Sequence, residues 1–215
     1  MKNNKKTLII SGGDVTKQIL EKTLKNNEFN NIIAVDKGLE ILDKCKVEPN
    51  YIIGDFDSVN KGLVQKYKKS EIIKLNPEKD FTDTHMAIKL AYKIKSNYIT
   101  IIGAIGTRID HTITNIHILK ECIERKIMCE IINKNNKITL INKSCYINLE
   151  KEYKYISLIP LTTNVTGVTL EGFKYPLKNA TLSIGESIGV SNEQIEQKAK
   201  IEFKKGILIC IKSRD

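Results

Sequence analysis

The chain has 215 residues, enough for one large domain or two small ones with a real core. Hydrophobic residues make up 41% and charged residues 28%, a balance that excludes intrinsic disorder. The net charge of +10 is spread rather than concentrated: 12 basic against 8 acidic residues from Lys137 onward, 23 against 17 before it. Up to about Ile132, strand-like runs alternate with helical patterns. Leu8–Ile10 precedes a helical stretch carrying Val15, Ile19, Leu20 and Leu24, and Ile32–Val35 precedes a short helix with Leu39 and Leu42. Tyr51–Ile53 leads to an acidic loop and a helix near Leu63–Tyr67. Glu71–Leu75 leads to a second acidic loop and a helix from about Thr82 to Lys95, with Met86, Ala87, Leu90 and Ile94 on one face. Tyr98–Ile102 leads to a glycine loop and a helix with Ile113, Ile116, Leu119 and Ile123. This alternation predicts an α/β domain over residues 1–134: a Rossmann-like, three-layer arrangement with a parallel sheet between helices.

After Asn133-Lys134-Asn135-Asn136 the texture changes. Short β-rich runs follow at Ile138–Ile141, Tyr146–Leu149, Tyr155–Ile159, Val165–Leu170, Ala180–Ile184, Ala199–Phe203 and Ile207–Ile211. Lys205-Gly206 reads as a tight hairpin turn. These runs predict a second, all-β domain over 135–215, an antiparallel sandwich or barrel.

Without a basic tail or a dense basic stripe, the charge reads as a generally basic solvated surface, and no nucleic-acid partner is expected. No apolar run approaches the length of a transmembrane helix, so no membrane partner is expected. Cys45, Cys122, Cys129, Cys145 and Cys210 are scattered and form no Cys-x-x-Cys pair. Reduced thiols in a cytoplasmic protein are the simplest account. Met1–Lys6 has the charge of a signal-peptide start, yet the apolar Thr7–Ile10 is too short and runs into Ser11-Gly12-Gly13.

The chemistry-bearing residues fall where strands end and helices begin, the ligand-binding edge of open α/β sheets. Asp36 ends the second strand; Asp55 and Asp57 follow the third, Asp80 and Asp83 the fourth, and Asp110 the fifth. Two ionised carboxylates roughly 6 Å apart at an effective dielectric of about 20 repel by roughly 3 kcal/mol. A divalent cation offsets that cost, and magnesium shared among a few carboxylates, water and phosphate oxygens suits the set. Lys79 and Arg108 supply cations for phosphoryl groups, and Gly103 and Gly106 allow close backbone approach. Each piece also has a plain structural account. Asp55-Phe56-Asp57 can be an Asx turn, Thr82 or Asp80 can cap the following helix, and His85, His111 and His117 form no obvious ligand set.

Taken together, Asp36-Lys37-Gly38, Gly54-Asp55-Phe56-Asp57-Ser58, Lys79-Asp80-x-Thr82-Asp83 and Gly103-Ala104-x-Gly106-x-Arg108-x-Asp110-His111-x-x-x-Asn115 resemble the thiamine pyrophosphokinase signatures, in family order. Ser157-Leu158-Ile159-Pro160, Gly167-Val168-Thr169, Glu171–Leu177 and Ser191-Asn192 extend the resemblance through the second half. It implies a transferase that moves the pyrophosphoryl group of ATP to thiamine, giving thiamine diphosphate and AMP. It implies a nucleotide-binding α/β domain, a C-terminal β-sandwich that binds thiamine, and a homodimer. By position, Asp55, Asp57 and Asp83 would hold Mg2+ and the ATP phosphates. Asp36, Lys79, Asp80, Thr82 and Arg108 would line the nucleotide and phosphate site, and Asp110 would complete the acidic centre. Ser191 and Asn192 would lie by thiamine, and with no tryptophan in the chain any aromatic packing on it must come from Tyr or Phe.

Two rival readings have their own signatures. A phosphotransferase with an aspartyl nucleophile suits Asp55-Phe56-Asp57 after a strand, but a convincing downstream lysine and acidic pair are missing. A nucleic-acid-binding module suits the charge, but aromatics are only 6% and no basic face studded with them is visible.

Overall fold

The computed structural model describes residues 5–57, 59, 61–76, 78 and 80–215. The chain divides into two compact units, Met1–Lys134 and Asn135–Asp215.

In the first unit the elements alternate: β1 (Lys6–Ile10), α1 (Lys17–Asn26), β2 (Asn31–Val35), α2 (Gly38–Lys44), β3 (Tyr51–Gly54), α3 (Lys61–Lys66), β4 (Glu71–Lys74) and α4 (Asp83–Lys93). Then come β5 (Tyr98–Ile102), α5 (Ile109–His117), α6 (Leu119–Glu124) and β6 (Met128–Ile132). The strands are parallel in the order β4-β3-β2-β1-β5-β6. Strands buried on both faces favour apolar residues on both, which explains the run Leu8-Ile9-Ile10 and the run Ile99 to Ile102, whose one polar member, Thr100, is hydrogen-bonded. Leu8 and Ile10 share a buried cluster with Leu20 of α1, Leu39 and Leu42 of α2 and Val64 of α3. Ile9 points to the other face by the two-residue strand period, and α4 packs against β1, β2 and β3 through buried Ala87, Ile88 and Ala91. This is the three-layer α/β arrangement expected.

Two details differ from expectation. The periodicity of Ile113, Ile116, Leu119 and Ile123 suggests one helix, but the structure has two. At Ile118 the backbone tightens (ψ −15°), and the Glu121 N–H bonds the Ile118 carbonyl three residues back instead of four. A sixth strand, β6, pairs in parallel with β5. Its Glu130 is buried because the Thr100 hydroxyl of β5 donates to it at 2.9 Å.

The second unit contains β7 (Asn136–Ile141), β8 (Cys145–Asn148), β9 (Tyr155–Pro160), β10 (Asn164–Glu171), β11 (Leu177–Ser183), β12 (Lys198–Glu202) and β13 (Leu208–Ser213). All pairings are antiparallel, in the orders β7-β13-β9 and β11-β10-β12-β8. One apolar cluster draws Ile156 and Leu158 of β9 and Leu208 of β13 together with Val165 and Val168 of β10, Leu182 of β11 and Ile201 of β12. Two sheets sharing one core make a β-sandwich. The turn at Lys205-Gly206 is not a hairpin, since β12 and β13 lie in different sheets. The Lys205 carbonyl accepts the Thr166 N–H at 3.0 Å, so the segment crosses from one sheet to the other under β10. At one end of β13, Lys212 is buried and donates to Glu150 at 2.7 Å and to the Asn148 carbonyl at 3.0 Å, while Lys137 reaches Glu150 from β7. Among the described residues, no helix is long and apolar enough to cross a membrane.

Candidate active site

Strand order reverses between β1 and β5, which places a crevice at their carboxyl ends. The two loops there are zipped together. The Ser11 N–H donates to the Ile102 carbonyl (2.9 Å), Gly13 N–H to Gly103 (2.8 Å) and Asp14 N–H to Ile105 (3.0 Å). The approach is so close that a Cβ on Gly103, which has φ +72°, would meet the Ser11 carbonyl at 2.3 Å. Ser11 also shares a hydrogen bond of 3.0 Å with Thr84, tying the end of β1 to the first turn of α4.

Asp36, half-buried with φ 44°, follows β2, and its backbone N–H bonds the Ile53 carbonyl of β3. Its carboxylate lies against the last residue of β3: a Cβ on Gly54 would fall 1.8 Å from Asp36 Oδ1. Only a glycine lets the acidic ends of β2 and β3 approach this way. Past Gly54, Asp55 Oδ1 accepts the Asp57 backbone N–H at 3.0 Å, closing an Asx turn with Phe56 at φ 63°. The turn leaves Asp57 exposed and Asp55 partly so.

Thr82 caps α4, its hydroxyl accepting the His85 N–H at 3.3 Å, and Asp83 is the first helical residue, where a carboxylate complements the helix dipole. Asp80 is exposed. Lys79 lies outside the described residues. The His85 ring is committed elsewhere, 2.9 Å from Glu121 of α6. Burial pushes the Glu121 carboxyl up, but hydrogen bonds with His85 and Arg125 outweigh it and hold that acid below its ordinary value.

Arg108 and Asp110 face each other at the start of α5, with Nε donating to Oδ1 at 3.2 Å and a terminal N–H to Oδ2 at 2.5 Å. The bonds to Arg108, then the His111 backbone N–H, hold the Asp110 carboxyl below the usual carboxylate range; the same pairing raises Arg108. Both side chains are exposed, so the arginine reaches solvent already carrying a counter-ion.

The strand ends thus bring Asp36 beside the Asp55–Asp57 turn and link β1 to the helix that starts at Asp83. They do not gather a closed metal cage: among the described residues no three His, Cys, Asp or Glu stand close enough to hold an ion. The donors that are present, Asp55, Asp57 and Asp83, are all oxygen ligands. That fits magnesium, which takes one or two carboxylates and completes its shell with water and phosphate oxygens.

In the second unit, Asn192 is buried and its carboxamide brackets one residue: Oδ1 accepts the Tyr175 N–H at 3.0 Å and Nδ2 donates to the Tyr175 carbonyl at 2.7 Å. Ser191 next to it is exposed with φ 58°, its backbone N–H bonded to the Ser157 hydroxyl at 3.0 Å. Held by that bracket and by a Lys174–Glu193 ion pair of 2.8 Å, the Tyr175 ring stands 56% exposed.

Residues 20–131 match the family model described as thiamin pyrophosphokinase, catalytic domain, and residues 144–208 match thiamin pyrophosphokinase, vitamin B1 binding domain. The chain is 34% identical to the thiamine pyrophosphokinase of Bacillus subtilis, over 98% of this chain and 100% of that one. The chain belongs to the thiamine pyrophosphokinase family. A relative from Caenorhabditis elegans, thiamin pyrophosphokinase 1, is 25% identical across 89% of this chain and 85% of its own. The crystal structure of the Bacillus subtilis enzyme superposes with a TM-score of 0.88 at 32% identity, covering 98% and 100% of the two chains. That from Geobacillus thermodenitrificans gives 0.85 at 29%, covering 98% of each.

Within this family frame, three side chains stand out that sequence reasoning did not assign. Tyr175 is the exposed aromatic beside Ser191 and Asn192; its motif was visible, but not which of several Tyr and Phe it singles out. Ser11 and Thr84 carried no signal, because their partnership spans 73 residues.

Proposed function

We propose that this protein transfers the pyrophosphoryl group of ATP to the hydroxyethyl oxygen of thiamine, giving thiamine diphosphate and AMP. The observation that carries the reading is the succession of Asp36, the Asp55–Asp57 turn, the Thr82–Asp83 helix start and the Arg108–Asp110 pair along one edge of a parallel sheet, in a chain of this family. Such chemistry asks for positioning and charge more than covalent participation. The bond from the thiamine oxygen to the β-phosphorus forms as the bridging oxygen between α- and β-phosphorus departs with AMP.

Asp55, Asp57 and Asp83 would hold magnesium, the Asx turn fixing the first two at a set spacing. When bound, the ion supplies charge neutralisation at the phosphate oxygens. Arg108 would exchange Asp110 for a phosphate oxygen. Asp36, Lys79, Asp80 and Thr82 would line the nucleotide, Thr82 through the helix it caps.

Thiamine would lie by Ser191 and Asn192. In this reading Asn192 acts through its bracket on Tyr175, whose open ring offers a π-face to a cationic thiazolium. Homodimerisation belongs to the same proposal. Ile184, Ile188, Val190 and Ile195 stand exposed within one twelve-residue stretch of the second unit, more aliphatic surface than a monomer usually leaves there. So does a cytoplasmic setting, which the five free cysteines suit.

The test is incubation with ATP, magnesium and thiamine, followed by nucleotide analysis. AMP appearing one-for-one with thiamine diphosphate is the expected result; ADP or free phosphate in its place overturns the reading.

A further inference from the structure

Asn115 is a buried polar side chain on α5. Its Nδ2–H donates to the Ala104 carbonyl at 2.8 Å. That bond completes a series. The Ile102, Gly103 and Ile105 carbonyls accept the N–H groups of Ser11, Gly13 and Asp14, so four consecutive carbonyls of the loop after β5 are turned onto donors inside the fold. In a planar trans peptide the C=O of one residue and the N–H of the next point in opposite directions. Holding the Ala104 carbonyl inward therefore aims the Ile105 N–H outward. The neighbouring bonds come from backbone donors of the β1 loop, while the one at Ala104 depends on a single side chain.

We propose that Asn115 is a positioning residue that orients the Ala104–Ile105 peptide so that the Ile105 N–H meets an oxygen of the bound polyphosphate. The inference rests on the reading of this chain as an ATP-using enzyme. Without the Asn115 donor, the Ala104–Ile105 peptide can rotate and present a carbonyl oxygen to the phosphates, turning an attraction into a repulsion. Phosphate affinity is then the property lost. Thiamine affinity is not, because the bond of Asn115 is to the Ala104 carbonyl, whereas Asn192 holds Tyr175 and Ser191 is tied to Ser157.

Asn115→Asp keeps the shape and removes the donor; Asn115→Ala removes the side chain. Both are expected to raise the KM for magnesium-ATP at least tenfold with the KM for thiamine within twofold of the parent. Equal rises in both constants, or a fall in kcat with both constants unchanged, overturn the assignment. A measurement on the unaltered protein covers the case in which neither variant folds. Titration of 15N-labelled protein with magnesium-ATP should move the Ile105 amide proton downfield, and an unmoved Ile105 resonance at saturation overturns the proposal. If the unaltered enzyme makes no thiamine diphosphate, the functional reading fails; if it does and Asn115→Ala binds ATP as tightly as the parent, only this inference fails.

Discussion

The Asp55 carboxylate accepts the backbone N–H of Asp57 at 3.0 Å, so the two acids of the third strand end are held in fixed relation by one of them. Their substitutions should therefore separate. Asp57→Asn removes a charge from an exposed side chain whose backbone N–H, not its carboxylate, closes the turn; magnesium-dependent kcat should fall at least a hundredfold with Tm unchanged. Asp55→Asn keeps an amide oxygen that can still accept the Asp57 N–H and should behave the same way. Asp55→Ala should lose activity and about 1 kcal/mol of stability together, read by denaturant unfolding. Full turnover in Asp57→Asn would remove that residue from the site.

Gly54→Ala tests the closeness of the second and third strand ends. The added methyl would fall 1.8 Å from Asp36 Oδ1, so the Asp36 carboxylate must move. The expected result is a loss of about 2 kcal/mol or more and at least a tenfold drop in kcat/KM for ATP. A stable, fully active variant would mean that the position of Asp36 is unimportant.

Arg108→Ala breaks an exposed pair, and exposed pairs contribute little to folding. The melting temperature should stay unchanged, while kcat/KM for ATP should fall about a hundredfold. Steady-state kinetics beside a thermal melt distinguish this from a structural role, which would move the melt.

Tyr175→Ala and Asn192→Ala should differ in kind. The first removes an exposed ring, and the KM for thiamine should rise about tenfold with Tm unchanged. The second empties a buried bracket and should cost about 2 kcal/mol in addition to the same kinetic defect.

Acid stability should depend on Glu150. Burial pushes its carboxyl up, but the bonds from Lys212 and Lys137 outweigh burial and hold it below the ordinary glutamate value of 4.5. A depressed acid contributes stability that is fully present above its unfolded value and is lost as pH falls through its folded value. Glu150→Gln should thus be less stable than the parent by about 3 kcal/mol at pH 7, because Lys212 is left buried with its charge unpaired. The two stability curves should converge as pH falls through the depressed folded value, below the ordinary glutamate range, and curves that stay parallel throughout the acid limb would count against the pairing.

The parallel half was legible because its central strands are buried on both faces and announce themselves as largely apolar runs. Leu8-Ile9-Ile10 needs no partner to be recognised. The strand ends were legible only as a set: each aspartate alone has a plain structural account, but Asp36, Asp55, Asp57, Asp83 and Asp110 all follow strands of one parallel sheet. What could not be read depends on partners distant in the chain. The Lys205-Gly206 turn looks the same whether the next strand folds back or crosses to the other sheet. Met128–Ile132 hides as a strand because its buried Glu130 is partnered by Thr100, thirty residues earlier. The family resemblance implied Arg108 for the phosphate site and Asp110 for the acidic centre, yet spacing alone does not reveal that they neutralise each other.

That neutralisation links two events at the mouth of the crevice. An anion that takes the two Arg108 donors now held by Asp110 releases that carboxylate, and a released carboxylate attracts the nearest positive charge. Uptake of a phosphate and uptake of a cation then share one free energy, each strengthening the other by the same factor.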